Sequence, residues 1–176
     1  MLTVRGMERL FLVKAHNRMK IDKSGIMVKL NLGCGNAKIN GYVNIDIQSE
    51  IKPDIICDLA HTALPFSDNS VDEIVSCDFL EHLGWEGNND HLIFILNECW
   101  RVLKPEGKAI HNVPRYPHIG AIRDPTHRRF FVPETFAYFL QNDEYHLYTK
   151  DLYGAKGWSK IDITATEDRI IVEMVK

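Results

Sequence analysis

The chain has 176 residues, 45% apolar and 26% charged, with a formal net charge of −3. That balance fits one domain with a full hydrophobic core and excludes a disordered or fibrous chain. The charge gives no ground for expecting nucleic acid as a partner. The apolar runs are too short to span a bilayer, and the N-terminus carries no signal-peptide block, so the chain reads as cytoplasmic with no membrane partner.

Glu8 to Lys20 has apolar positions at Leu10, Phe11, Val13, Ala15 and Met19, a modest helical pattern that predicts an N-terminal helical extension over residues 1–26. Ile26–Leu32, Tyr42–Ile47, Ile55–Leu59 and Val71–Cys77 then read as four strands. Their near-continuous apolar runs suit a parallel sheet with helices on both faces. From Asn89 to Leu103 the apolar residues recur at helical spacing, with Asn88 or Asn89 as caps and Lys104-Pro105 just beyond the end.

Lys108–Val113 is the next strand, followed by a Pro- and His-rich stretch from Pro114 to Val132 whose length suits a lid or binding loop. Pro133 opens a helix to Leu140. Trp158–Thr164 and Arg169–Val175, around Thr166-Glu167-Asp168, form a hairpin. The pattern as a whole predicts an α/β fold: a doubly wound, mostly parallel, Rossmann-like sheet with a C-terminal antiparallel hairpin.

Gly33-Cys34-Gly35 leaves the first strand, and the second ends in Asp46. Glycines there let backbone approach a ligand, and an acid on the second strand suits a ribose diol. Lys38 stands where a dinucleotide fingerprint needs its third glycine, and about six residues separate Gly35 from the next strand. No full helix fits in so short a connection, so no helix terminus is available for a pyrophosphate, which disfavours a dinucleotide oxidoreductase. A phosphate-free nucleoside, S-adenosylmethionine, is the ligand such a turn suits.

The stretch LNLGCGNAKINGYVNIDI resembles the small single-domain branch of the class I S-adenosylmethionine-dependent methyltransferases. The resemblance continues in Asp58-Leu59, in Leu64 to Ile74, in Leu80-Glu81-His82-Leu83, in Glu98 to Gly107, and in Asp124 to Phe136. It implies a methyltransferase domain over residues 27–176 with S-adenosylmethionine as cofactor. Gly33, Cys34 and Gly35 would pass beneath the methionine and ribose, and Asp46 would accept both ribose hydroxyls. Ile47 would pack on adenine, Asp58 would accept from its amino group beside Leu59, and Cys77 and Asp78 would close the methionine side. Asn31 stands where many relatives carry an acid for the methionine ammonium, and it brings no charge.

Methyl transfer is an in-line displacement in which alignment is most of the task, but an oxygen or weakly acidic nitrogen acceptor also needs a base. His127 and His82 are the catalytic candidates, since imidazole titrates near neutral pH. No metal site is expected: the four cysteines, Cys34, Cys57, Cys77 and Cys99, form no CxxC pair, and His111, His118 and His127 match no ligand spacing. After the fourth strand stands Cys77-Asp78-Phe79-Leu80 rather than Asn/Asp-Pro-Pro-Tyr, which argues against the familiar amino-methylating classes. The expected acceptor is a small molecule or a glycan- or nucleotide-linked precursor. The alternative is a noncatalytic S-adenosylmethionine-binding or scaffold module that activates a partner. Neither the acceptor atom nor the oligomeric state is legible in the sequence.

Overall fold

A computed structural model describes residues 27–176. The N-terminal helical extension expected over residues 1–26 lies outside the described residues. In chain order the strands are β1 (Lys29–Leu32), β2 (Val43–Asp46), β3 (Ile55–Ile56), β4 (Val71–Cys77), β5 (Trp85–Glu86), β6 (Asn89–Asp90), β7 (Leu103–Pro114), β8 (Lys160–Ala165) and β9 (Arg169–Val175). Helices are α1 (His91–Val102), α2 (Ile119–Ile122) and α3 (Glu144–Tyr153).

Seven strands form one sheet ordered β3-β2-β1-β4-β7-β9-β8, while β5 and β6 make a separate antiparallel ribbon. β3, β2, β1, β4 and β7 run parallel, and β9 and β8 join antiparallel at the far edge. Strand order reverses between β1 and β4, the switch point at which an open α/β sheet has its crevice.

One face of the sheet carries the main core. Leu30, Leu32, Ile45, Ile74, Val113, Ile170, Val172 and Met174 pack there with α1 and with Phe131, Phe136, Phe139 and Trp158. α1 buries Leu92, Ile93, Ile95, Leu96, Cys99 and Val102, the stripe its sequence period predicts. Each fully buried Leu or Ile on that stripe contributes about 1.5–3 kcal/mol. The helix is capped by Asp90, whose Oδ1 accepts from Leu92 N at 2.9 Å and Ile93 N at 3.2 Å, rather than by Asn88 or Asn89. Those two asparagines lie in and beside the β5–β6 ribbon, which pushes the helix start onward.

The opposite face is more polar than a parallel sheet normally allows. A small cluster of Tyr42, Val75, Ile110 and Ile171 lies beside buried Lys29 and Glu73, whose charges stand 3.6 Å apart. Tyr42 donates its hydroxyl to Glu73, and burial followed by that carboxylate raises its pKa.

Several predicted bounds move. β3 is only Ile55–Ile56, and β7 begins at Leu103, directly after α1, because Val71 pairs with Leu103 before the register shifts at Glu73. Pro133–Phe139 is a 3₁₀ helix rather than an α-helix. The Pro114–Val132 stretch holds the short α2 and is tied down by an isolated bridge between Arg115 and Phe131.

Candidate functional site

The β1–β2 connection is too short for a helix, and side-chain amides do the holding instead. Asn31 Nδ2 donates to the Ala37 carbonyl and to Asn44 Oδ1, each at 3.0 Å. Asn44 Oδ1 also accepts from Ile39 N at 2.8 Å, while its Nδ2 reaches Tyr42 O and Asp54 Oδ2. Asn31 is therefore a buried brace for the glycine turn, and its donor group is committed to two acceptors.

Gly33 and Gly35 both have positive φ, +59° and +47°. At Gly33 there is a second reason for glycine: an added Cβ would lie 2.6 Å from Cγ and 2.8 Å from Cβ of Phe79. Cys34 is buried and donates its N–H to Ile45 O at 3.1 Å, and Gly35 N donates to Asp46 Oδ2 at 2.8 Å. Gln48 N donates to the other oxygen, Asp46 Oδ1, at 2.9 Å. The ends of β1 and β2 are thus clamped by one carboxylate, with Ile47 59% exposed beside it.

Asp58 follows β3. Its Oδ1 accepts from Ala60 N at 3.0 Å and its Oδ2 faces His61 Nδ1 at 2.9 Å. Burial opposes its ionisation, but the His61 and Ala60 hydrogen bonds prevail and hold its pKa below the usual carboxylate range. Leu59 is buried next to it. The far nitrogen of His61, Nε2, lies 2.8 Å from Glu86 Oε2, a link between the β3 end and the β5–β6 ribbon that sequence gives no sign of.

At the end of β4, Cys77 is a thiol pushed up to about 12 by burial and then by Asp78. Asp78 Oδ1 is paired at 2.6 Å with Arg169 Nη1, and Arg169 Nε donates to Asn112 Oδ1 at 2.8 Å. Arg169 reaches the carboxyl edge of the parallel strands because β9 runs antiparallel, with Arg169 opposite Pro114.

Cys77, Asp78 and Arg169 also line a cavity of 310 Å³, together with His82, Asp124 and His127. His127 is nearly enclosed, its side chain 7% exposed, and its Nδ1 lies 2.7 Å from the Ala121 carbonyl. A carbonyl can only accept, so Nδ1 carries the hydrogen and donates. His82 is the exposed member of the pair, with Nδ1 3.1 Å from Thr126 Oγ1. Thr126 gives its hydroxyl hydrogen to Asp124 Oδ1 at 2.7 Å, which leaves His82 Nδ1 as the donor to Oγ1. The two rings meet edge to face at 4.9 Å.

Behind them stands Glu81, 1% exposed, with neither carboxylate oxygen hydrogen-bonded. Burial, reinforced by the Asp78 charge and offset by Arg169, raises its pKa to about 8. Its backbone carbonyl accepts from Arg128 N at 2.7 Å and Arg129 N at 3.1 Å, so the Pro114–Val132 stretch is pinned to this turn.

The structure therefore gathers the predicted residues into two adjoining places. Asn31, Gly33, Cys34, Gly35, Asp46, Ile47, Asp58 and Leu59 lie at the ends of β1 to β3, and Cys77 and Asp78 at the end of β4 join them to the cavity that holds His82 and His127. His111 and His118 are not drawn together with His127 as ligands. His111 is fully buried against Ser76 Oγ, and His118 Nδ1 accepts from Gly120 N as the cap of α2. Sequence reasoning passed over Glu81 and Arg169.

This fold and crevice define a Rossmann-like, nucleoside-binding α/β protein. Residues 30–111 match the family model described as a methyltransferase domain, which is consistent with a class I S-adenosylmethionine-dependent methyltransferase and supports S-adenosylmethionine as cofactor. No curated protein matches the chain. Among solved structures, a SAM dependent methyltransferase from Archaeoglobus fulgidus is similar with a TM-score of 0.69 and 16% identity, over 98% of this chain and 94% of that one. A chain from the Haloferax volcanii complex with the Trm112 methyltransferase activator gives 0.57 and 17%, over 97% and 92%. Haemonchus contortus phosphoethanolamine N-methyltransferase 2, in complex with phosphomonomethylethanolamine and S-adenosylhomocysteine, gives 0.61 and 13%, over 97% of this chain and 52% of that one. At these identities the likeness is one of fold. No helix of the described residues is long and apolar enough to cross a membrane.

Proposed function

We propose that the chain methylates a small molecule, or a glycan- or nucleotide-linked precursor, bound in the 310 Å³ cavity beside Cys77 and Asp78. The observation that carries this reading is the shared wall: the same two residues close the methionine end of the proposed cofactor crevice and open onto His82, His127 and Arg169. An acceptor there meets the methyl group from the side of the β4 and β7 ends, as in-line transfer requires.

In this reading the Gly33-Cys34-Gly35 turn runs under the cofactor. Asp46, already oriented by Gly35 N and Gln48 N, accepts the ribose hydroxyls. Ile47 supplies an apolar face for adenine, and Asp58, braced by His61, accepts the adenine amino group beside Leu59. Asn31 acts through the turn it braces rather than on the ammonium. His82 and His127 line the same cavity, where an acceptor would give up its proton, and Arg123 and Arg169 in the same wall suit an acceptor that carries an anionic group.

Calorimetry with S-adenosylmethionine, S-adenosylhomocysteine and NAD tests the cofactor half: the first two bind, Asp46→Ala abolishes both, and binding of NAD alone would overturn the reading. Turnover tests the acceptor half: His82→Ala and His127→Ala keep cofactor binding and lower methyl transfer. A second reading, a module that works by activating a partner, is favoured by the fold likeness to a chain from a Trm112 complex. It predicts cofactor binding with methyl transfer only after a partner is added.

A further inference from the structure

We propose that Glu81, His82 and His127 hold a divalent transition-metal ion, of the zinc type, in the wall of the acceptor cavity. One ligand atom from each of the three lies within 4.8 Å of the others. His127 Nε2 stands 4.0 Å from Glu81 Oε1 and 3.9 Å from Asp124 Oδ2. Tetrahedral ligands about 2.1 Å from a zinc ion lie about 3.4 Å from one another, so small side-chain rotations close the set around an ion.

The hydrogen-bond accounting points the same way. Both imidazoles spend Nδ1 as a donor, His127 to the Ala121 carbonyl and His82 to Thr126 Oγ1. That leaves each Nε2 as the nitrogen with a free lone pair, and outer partners of this kind are what fix a ligating histidine in its tautomer and orientation. Glu81 supplies the independent observation. It is a carboxyl group 1% exposed, with both oxygens buried and without a hydrogen-bond partner. An ionised group kept there without a partner costs several kcal/mol, and a cation between it and the two imidazoles removes that cost. Two histidines and one carboxylate with an open side toward a cavity are a donor set that suits zinc or iron(II) and leaves a coordination position for substrate.

The ion's role rests on the acceptor placement proposed above, although the site itself does not. A hydroxyl oxygen of the acceptor would occupy the open position. The ion polarises it, the O–H proton leaves to water through the cavity, and the oxygen attacks the methyl carbon. A C–O bond forms, the C–S bond breaks with its electrons returning to sulfur, and S-adenosylhomocysteine leaves neutral at sulfur.

The test is zinc binding by the full chain, read by calorimetry and by metal analysis after dialysis, with cobalt(II) absorption as a report on nitrogen and oxygen ligands. One ion per chain is expected. Thr126→Val, which alters only an outer partner, weakens zinc about 10–100-fold, and Glu81→Gln and the exposed His82→Ala weaken it further. Urea midpoints establish that each variant is folded, and S-adenosylhomocysteine affinity is retained in all three. His61→Ala, in a separate His61-Glu86-His91 cluster, leaves zinc binding unchanged. No zinc binding by the parent chain, or binding lost with His61→Ala and kept with Glu81→Gln and His82→Ala, overturns the site. Zinc bound at Glu81 with no effect of a chelator on methyl transfer overturns its role at the acceptor while leaving the methyltransferase reading intact. Failure to bind S-adenosylmethionine overturns that reading and not the metal site.

Discussion

Gly33→Ala separates the two reasons for glycine in the β1–β2 turn. The residue has φ +59°, a conformation that costs an L-residue about 1–2 kcal/mol. Its new methyl group would stand 2.6 Å from Cγ and 2.8 Å from Cβ of Phe79, where ordinary contact begins at 3.4 Å. A ring can swing away, but Cβ of Phe79 is fixed to the main chain, so relief requires the backbone after β4 to move. That backbone already holds Asp78 at φ +51°, paired with Arg169. Overpacking of this kind adds about 1–3 kcal/mol, which brings the expected loss to about 3 kcal/mol. Gly35→Ala is the matched control. It has φ +47° and nothing within 4 Å of the added Cβ, so only the backbone cost of about 1 kcal/mol applies. Urea denaturation of the pair gives the difference, and calorimetry with S-adenosylhomocysteine shows whether the displaced β4 end costs affinity as well. Equal losses in the two variants would refute the Phe79 contact as a cause.

Asn31→Asp places a charge at the end of β1, yet it is expected to destabilise by about 1–3 kcal/mol. The donor to Ala37 O and Asn44 Oδ1 becomes an acceptor facing acceptors, so the urea midpoint falls, and an unchanged midpoint would contradict the bracing role. His111 gives a pH dependence. Burial lowers its pKa from 6.5 to about 4, so between those values the unfolded chain binds a proton that the folded chain refuses. Stability is therefore full above pH 6.5 and falls by about 3 kcal/mol as the pH drops to 4, at ~1.4 kcal/mol per pH unit; His111→Gln flattens that slope in pH-dependent urea melts. Asp90→Ala removes the α1 cap and the 2.6 Å partner of Arg129, for an expected loss of about 2–3 kcal/mol in the same assay.

How much of the fold can be read from the chain depends on whether an element advertises its burial. β4 is visible as Val71–Cys77 because it is central and apolar on both faces, and α1 because its stripe packs against the sheet. α3 shows nothing comparable. It buries only His146 and Thr149, leaves Tyr145, Leu147, Tyr148, Leu152 and Tyr153 exposed, and is fixed by its Asp143 and Gly154 caps, so no apolar period marks it. Pro133 correctly marks a helix start, but the turn it begins is 3₁₀, with its buried Phe136 and Phe139 three residues apart.

The candidate site divides in the same way. Gly33, Gly35 and Asp46 are legible because backbone strain and charge at adjoining strand ends leave few residue choices. Arg169 is not, since it lies 91 residues beyond its partner Asp78 and reaches it only through an antiparallel pairing that local sequence does not specify. Glu81 and His82 are the sharpest case. They are neighbours in one short motif, where imidazole chemistry draws attention to His82. The 3₁₀ turn over Leu80–His82 buries residue 81 and leaves residue 82 at the surface, an inside–outside choice set by its docking against β7. The group with unmet bonding is thus the one the sequence makes look ordinary, and the His127 imidazole beside it, like the Thr126 hydroxyl that His82 meets, arrives from more than 40 residues further along the chain. Chemistry assembled across such distances becomes visible only when each buried polar atom is asked where its partner is.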